Sequence, residues 1–176
     1  KIDVASNNVI NFPSLTTVGV AATGVAAYSG VGPSLSVHST ATATFPALTA
    51  VAGLRCGPSS GSDACPSATT FPALTTIHGD YTGGGVNLPA LVNITGSLSM
   101  GWITSPFVWA PALTTVGGSV QLKFDSTNEP NFWPQITNVG GGLELISYSG
   151  NAASTLSSLS VPGVSAGSIN FKIYDN

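Results

Sequence analysis

One short phrase recurs along the whole chain and constrains its fold more than any other feature. It consists of an apolar residue, a proline, a variable residue, Leu, a pair rich in Thr, and Val or Ile. Its prolines, counting a degenerate last copy, stand 17 to 33 residues apart. A fixed phrase with variable excursions at this period is typical of a solenoid, in which each repeat buries its apolar side only against its neighbours. The phrase begins at Phe12, Phe45, Phe71, Leu88, Ala110 and Trp133, and the degenerate copy surrounds Pro162.

The segment after each phrase alternates apolar and polar residues, which is typical of a half-buried strand. Equivalent strands about two dozen residues apart, with no helical segment between them, are predicted to stack as a parallel sheet. Alignment places Leu98, Val120, Leu143 and Ile169 in one inward column, and Met100, Leu122, Leu145 and Phe171 in another. The outward residues between them are Ser99, Gln121, Glu144 and Asn170.

The phrase itself is predicted to form a corner. Proline fixes φ and favours an extended residue before it, so the large residue before each proline is expected to enter the core. The Leu and the final Val or Ile should also point inward, with the Thr pair outside. The glycines that follow are expected to adopt positive φ. The fold class is therefore all-β, a parallel β-solenoid of about seven rungs, and residues 1–176 are expected to form a single repeat domain.

The composition is low in charge but not in apolar residues. Charged residues make up 6% of the chain, hydrophobic residues 43%, and the net charge is −3. Disorder needs low hydrophobicity and high net charge, so a folded domain with an uncharged surface is predicted. Four basic residues cannot neutralise a run of phosphates, which argues against nucleic-acid and polybasic membrane partners. No apolar run reaches the ~18 residues of a membrane-spanning helix.

Cys56 and Cys65 flank a segment rich in Gly, Ser and Pro, and they are the only cysteines. A disulfide would close this loop and suit an oxidising compartment, whereas two free thiols would suit the cytosol. We favour the disulfide. A zinc site needs four ligands and has little support here, so no metal is expected. The sequon at Asn93 also fits a secreted or cell-surface glycoprotein.

Groups for catalysis are sparse. The seven acidic residues are scattered over different repeats, and His78 beside Asp80 is the one local pair that could act as a general base. We interpret that pair as residues of an exposed corner. Nucleophile-elbow, phosphate-loop and zinc-protease motifs are absent from the sequence. The sequence therefore predicts a protein that is not an enzyme and has no cofactor.

The consensus of the repeats resembles the receptor-L-domain type of leucine-rich repeat, particularly that of fungal GPI-anchored cell-wall proteins and related algal and protist surface proteins. The likeness is carried best by the phrase from Phe71 to Ile77 and by the segment from Ala110 to Leu122. The resemblance implies a right-handed solenoid, a secreted or wall-associated location and no catalysis. The chain departs from that pattern in its irregular early spacings and in the near absence of an Asn-rich turn after the strand.

Three functional hypotheses remain. Both ends of the chain read as ordinary rungs rather than polar caps, so the chain either belongs to a longer array or meets other copies of itself end to end, as a structural or adhesive module. Second, a Thr ladder on an uncharged solenoid is typical of ice-binding proteins. Third, Trp102 and Trp109 are candidates for contacts with carbohydrates or a receptor. The ladder consists of Thr16, Thr49, Thr75, Thr76, Thr114, Thr115 and Thr137.

Overall fold

The computed structural model describes residues 1–5, 7–20, 33–38, 40–57, 68–103, 110–125, 136–149 and 165–175. For residues 102–103, 124–125, 147–149, 171 and 173–175 it describes the backbone alone. Within these ranges the chain forms strands and no helix. The strands are β1 (Ile2–Val4), β2 (Val9–Asn11), β3 (Thr17–Val18), β4 (Leu35–Val37), β5 (Thr42–Thr44), β6 (Ala50–Val51), β7 (Leu54–Cys56), β8 (Thr76–Ile77), β9 (Tyr81–Gly83), β10 (Asn93–Ile94), β11 (Leu98–Ile103), β12 (Thr115–Val116), β13 (Val120–Asp125), β14 (Asn138–Val139), β15 (Gly142–Ser149) and β16 (Ser168–Asp175).

These strands form three parallel sheets, which confirms the prediction of an all-β parallel solenoid. The largest sheet has eight strands in the order β1-β4-β7-β9-β11-β13-β15-β16, and the second has six in the order β3-β6-β8-β10-β12-β14. A small sheet pairs β2 with β5. Among the described residues, each strand pairs only with its equivalents in the rungs before and after. The large sheet has one strand more than the seven predicted corners, because strands lie both before the first proline and after the last.

The eight-stranded sheet has the column register that the sequence predicts. Leu98 lies opposite Tyr81 on one side and Val120 on the other, and Leu143 lies opposite Ile169. The same inner column runs without slip from Ile2 in β1 to Ile169 in β16. Its middle members are completely buried, and these are Leu35, Leu54, Tyr81, Leu98 and Val120. The columns therefore form one continuous core along the solenoid.

Among the described residues, those before the prolines enter the core as predicted, and Trp133 lies outside the described residues. Phe12, Phe45 and Phe71 form a stack in which successive ring centroids lie 4.9 Å apart and the ring planes are within 4° of parallel. Phe45 and Phe71 are buried, and Leu88 and Ala110 continue this buried column in later rungs. Stacked aromatic pairs contribute about 0.5–1.5 kcal/mol beyond the burial of their area. The stack therefore stabilises the first three corners.

Apart from Gly19, the described glycines after the phrase do not adopt the positive φ that the sequence predicts. Among the described residues, positive φ occurs at Gly19, Gly57 and Gly83 as well as at Asn7, and of the three glycines only Gly19 directly follows the phrase. The later glycines are instead required because adjacent rungs approach too closely for a side chain. A Cβ on Gly96 would lie 2.5 Å from the carbonyl carbon of Gly79. The backbone N–H of Gly96 donates to the carbonyl of Gly79 at 3.1 Å, so this close approach holds neighbouring rungs together.

The large sheet widens along the chain. Its first four strands contain three residues each, β11 and β13 contain six, and β15 and β16 contain eight. The two ends of the eight-stranded sheet are therefore alike in their inner columns but different in width.

Candidate functional site

The outer surface of the six-stranded sheet is a regular and uncharged candidate site, which we call the Thr face. It consists of an exposed column, in which Thr114 alone is half-buried, and a second column beside it that is mostly half-buried. Strands of a parallel sheet lie about 4.8 Å apart, so both columns repeat at that spacing along the solenoid. The exposed column contains Thr16, Thr49, Thr75, Val92, Thr114 and Thr137, and the second contains Thr17, Ala50, Thr76, Asn93, Thr115 and Asn138.

Hydroxyl groups of the exposed Thr column bind the backbone of the preceding rung. The Oγ1 of Thr49 donates to the carbonyl of Thr16, and that of Thr75 donates to the carbonyl of Thr49, both at 3.1 Å. Thr114 and Thr137 make the same bond at 3.4 Å. A hydroxyl has a single proton to donate, so these groups offer only acceptor capacity to a partner. The exposed Thr column therefore has an architectural role.

Two residues in the middle of the Thr face interrupt the Thr ladder, an exposed valine and the asparagine of the sequon. Val92 replaces Thr in the exposed column and its side chain is 45% exposed. Asn93 of the sequon lies beside it in β10, between Thr76 and Thr115 in register. The Asn93 side chain is half-buried. A glycan at Asn93 would therefore cover the middle of the Thr face.

The outer face of the large sheet carries a different arrangement, which we call the polar ladder and which consists of Ser99, Gln121, Glu144 and Lys172. The Ser99 hydroxyl donates to Gln121 Oε1 at 3.4 Å, and Gln121 Nε2 donates to Glu144 Oε2 at 2.5 Å. Lys172 forms an ion pair with Glu144. The hydrogen bond from Lys172 and then that from Gln121 lower the pKa of Glu144 below its usual value. Side chains here bind one another across three neighbouring strand pairs.

The outermost described rungs expose parts of the core columns. Ile169 in β16 is 51% exposed, although its column partner Leu143 is buried. At the other end Ile10 is 37% exposed, although its register partner Ala43 is buried, and Phe12 is only partly buried. Within the described residues β1 pairs only with β4, and β16 pairs only with β15. Each outermost described rung therefore offers a free edge of the eight-stranded sheet, together with apolar side chains.

Other candidates from the sequence are only partly placed by the structure. Cys56 is completely buried in β7, and Cys65 lies outside the described residues, so their disulfide stays a prediction. The side chain of Trp102 and the whole of Trp109 also lie outside them. His78 is half-buried at a corner, and Asp80 Oδ1 accepts the backbone N–H of Ser97 at 2.7 Å. The Asp80 carboxylate therefore has a structural partner.

The described ranges offer neither a metal site nor a membrane-spanning helix. Those residues contain no group of three or more His, Cys, Asp or Glu side chains that could hold a metal ion. They also contain no helix long and apolar enough to cross a membrane. Neither observation adds a candidate site to the Thr face, the polar ladder and the end rungs.

Some arrangements do not follow from the sequence alone. Ser99, Gln121 and Glu144 are predicted only to face outward, and it is the register of the strands that places them within bonding distance. His38 Nε2 lies 3.1 Å from Asp3 Oδ1, a contact across 35 positions of the chain. The alternation of Leu35, Ser36 and Val37 indicates a strand that ends just before His38. It is the one local signal that could have placed His38 beside β1.

Comparison with known proteins gives no relative of this chain. No family model, no curated protein and no solved structure matches it. The receptor-L-domain resemblance and its implied handedness accordingly stay predictions, and the function is argued below from the geometry of the chain itself.

Proposed function

We propose that the protein is a non-catalytic, extracellular structural or adhesive module whose copies associate end to end into a fibre or surface layer. The observation that carries the proposal is the pair of outermost described rungs, which have free strand edges and continue the same inner column. An unpaired strand edge is a template for pairing with another chain. A head-to-tail contact that does not close on itself produces a filament.

The charge distribution is compatible with this association. Charged residues are 6% of the chain, and the apolar residues exposed at the ends include Val9, Ile10 and Ile169. Contact between the ends would bury these apolar side chains. The two end strands also carry Asp3, Lys172 and Asp175, of which Asp3 is paired with His38 and Lys172 with Glu144 within one copy. Burial of apolar area supplies about 25 cal/mol per Å².

The test is the concentration dependence of mass, measured by sedimentation, together with electron micrographs. We expect unbranched filaments with a strand spacing of about 4.8 Å and an axial repeat of about 38 Å, because the described residues of each copy contribute eight strands to the large sheet. A monomer at millimolar concentration with no filaments would refute the proposal.

A matched pair of variants makes this test specific. Ile169→Lys introduces a charge into the exposed end of the inner column and is expected to abolish association. Val92→Lys introduces the same charge at a position of similar exposure on the Thr face, and it should leave association unchanged. Equal behaviour of the two variants would contradict end-to-end assembly.

Ice binding is the second candidate, and one observation favours it. All twelve positions of the Thr face are uncharged, and they repeat with the regular spacing of a parallel sheet. The same two variants separate the two functions. If the Thr face binds ice, Val92→Lys should remove thermal hysteresis and Ile169→Lys should retain it. No hysteresis in the unmodified protein at high concentration would exclude this candidate.

The extracellular location rests on the predicted disulfide and sequon. Intact mass of native material should increase by two hydrogens on reduction if Cys56 and Cys65 are joined. It should decrease on enzymatic deglycosylation if Asn93 is modified. A loop of this size is expected to stabilise the fold by about 2–3 kcal/mol. Two alkylatable thiols in unreduced, denatured protein would contradict the disulfide.

A further inference from the structure

The register of the end contact is fixed by the columns of the eight-stranded sheet. We propose that β16 of one copy adds to β1 of the next without slip, which places Asn170 opposite Asp3 of the next copy. This inference rests on the end-to-end association proposed above and specifies how the two ends meet. Ile169 would then lie over Ile2 of the next copy.

The argument for an unslipped contact comes from the pairings within one molecule. From Ile2 to Ile169 each step of the inner column joins directly opposed residues. A slip of one residue would turn every inward side chain outward. A slip of two residues preserves the faces but displaces the next copy by about 6.6 Å along the strand. The Phe12 column of the next copy would then no longer lie in line with the corners of the first copy.

The outer column supplies complementary polar groups at the same place. The side chain of Asp3 is 53% exposed, and one carboxylate oxygen is bonded to His38 Nε2. Asn170 is exposed at the other end of this column, opposite Glu144 in register. A carboxylate only accepts hydrogen bonds, and an amide NH₂ donates two. The pair would therefore extend the side-chain bonds already made by Gln121 and Glu144.

A second copy is the occupant that fits both ends at once. The end with β1 offers a carboxylate acceptor, and the end with β16 offers an amide donor and the Lys172 ammonium group nearby. Both ends also carry the same inner column, which runs without slip from Ile2 to Ile169, although β11 and β13 shift register beyond it, between Met100 and Ile103. Another copy thus matches the free strand edge in three respects: its backbone hydrogen-bonding groups, its inner column of apolar side chains and its outer column of polar side chains.

The experiment introduces like charges at the proposed pair and measures the dissociation constant by sedimentation equilibrium. Asn170→Asp sets two carboxylates against each other and is expected to weaken association at least about tenfold. High salt should reduce the loss. The slipped alternatives give other results, because Asn170 would then face Lys1, where the change strengthens association, or Ala5, where it has little effect.

A charge-exchanged double variant, Asp3→Asn/Asn170→Asp, separates the contact from effects within one copy. The carboxylate introduced at position 170 still lies beside Glu144, so any repulsion inside one copy persists, but the change at Asp3 removes the repulsion between copies. The double variant should therefore restore the dissociation constant to within about threefold of the unmodified value. The control Asn138→Asp adds the same charge on the other sheet and should not change association.

The outcomes distinguish this inference from the proposed function. If the unmodified protein associates but Asn170→Asp does not weaken it, or the double variant fails to restore it, the unslipped register is wrong and end-to-end association stands. If the unmodified protein never associates, both are refuted.

Discussion

The two larger sheets are built from the same succession of rungs, yet their outer surfaces are held together differently. In the six-stranded sheet the exposed Thr hydroxyls donate to backbone carbonyls of the preceding rung. In the eight-stranded sheet Gln121 and Glu144 bind each other through their side chains. The first arrangement needs only a small residue with a hydroxyl in each rung. The second depends on which residues the register brings together.

This difference shows that a polar column can repeat along the solenoid for structural reasons alone. In the Thr column the hydroxyls of Thr49, Thr75, Thr114 and Thr137 each bind a carbonyl of the preceding rung, so the most regular feature of this column is explained by folding. The polar ladder shows no repeat of residue type, although its side chains are bonded across neighbouring strands. Regularity in the sequence is thus weak evidence of binding in this fold, and exposure at the end rungs is more informative.

The largest effect should come from a change that separates the rungs of both sheets. Gly96 lies at the turn between β10 and β11, where a Cβ would meet the Gly79 backbone at 2.5 Å. Gly96→Ala is expected to destabilise the protein by about 2–3 kcal/mol, measured by urea unfolding. Gly53→Ala is the control, since its Cβ would have no neighbour closer than 3.6 Å. Similar losses in both variants would contradict the close-approach explanation.

A smaller effect should distinguish the two kinds of outer bond. Thr75→Val keeps the shape of the side chain but removes the hydrogen bond to Thr49, so we expect a loss of about 1 kcal/mol in the free energy of unfolding. Thr75→Ser retains the hydroxyl and should keep most of that stability. If Thr75→Val is as stable as the unmodified protein, the Thr column does not stabilise the six-stranded sheet.

The smallest effect should be the acid response of the polar ladder. The pKa of Glu144 is lowered in the folded state, chiefly by its hydrogen bond with Lys172. A lowered pKa gives stability that is present above the unfolded value of about 4.5 and is lost as pH falls through the folded value. Solvent screening limits an exposed pair to about 1 kcal/mol or less.

Thermal unfolding at a series of pH values would measure this response. Between pH 6 and pH 3 the unmodified protein should lose slightly more stability than Glu144→Gln, and the difference should shrink in high salt. Parallel pH profiles for the two proteins would show that the ladder contributes no acid-sensitive stability.

Much of the fold could be predicted because each rung repeats the same physical requirements. The columns through Leu98 and Met100 follow from period-two alternation, and the corner follows from the residue before each proline. The small sheet of β2 and β5 could not be predicted, because Val9–Asn11 and Thr42–Thr44 have no repeated counterpart in most rungs. The role of Gly96 was also hidden, since sequence does not reveal how closely two backbones approach.

The candidate surfaces were less accessible to sequence reasoning than the fold. The repeated phrase indicates the Thr columns, but the hydrogen-bond acceptors of the Thr hydroxyls are main-chain groups that carry no residue signature. The exposure of Ile169 could not be anticipated from its column, because its equivalents Leu98, Val120 and Leu143 are buried. Exposure depends on whether a further strand covers the residue, and no local pattern encodes that.

Pairing restricted to neighbouring rungs also determines how the molecule opens. Each inner rung is protected on two sides and each outermost described rung on one, so local opening should start at the outer rungs and proceed inward. Amide protons of β7 and β9 should then exchange with solvent more slowly than those of β1 or β16. Joining a second copy would convert an outer rung into an inner one. The lifetime of a rung would thus depend on its distance from the nearest free end of the array.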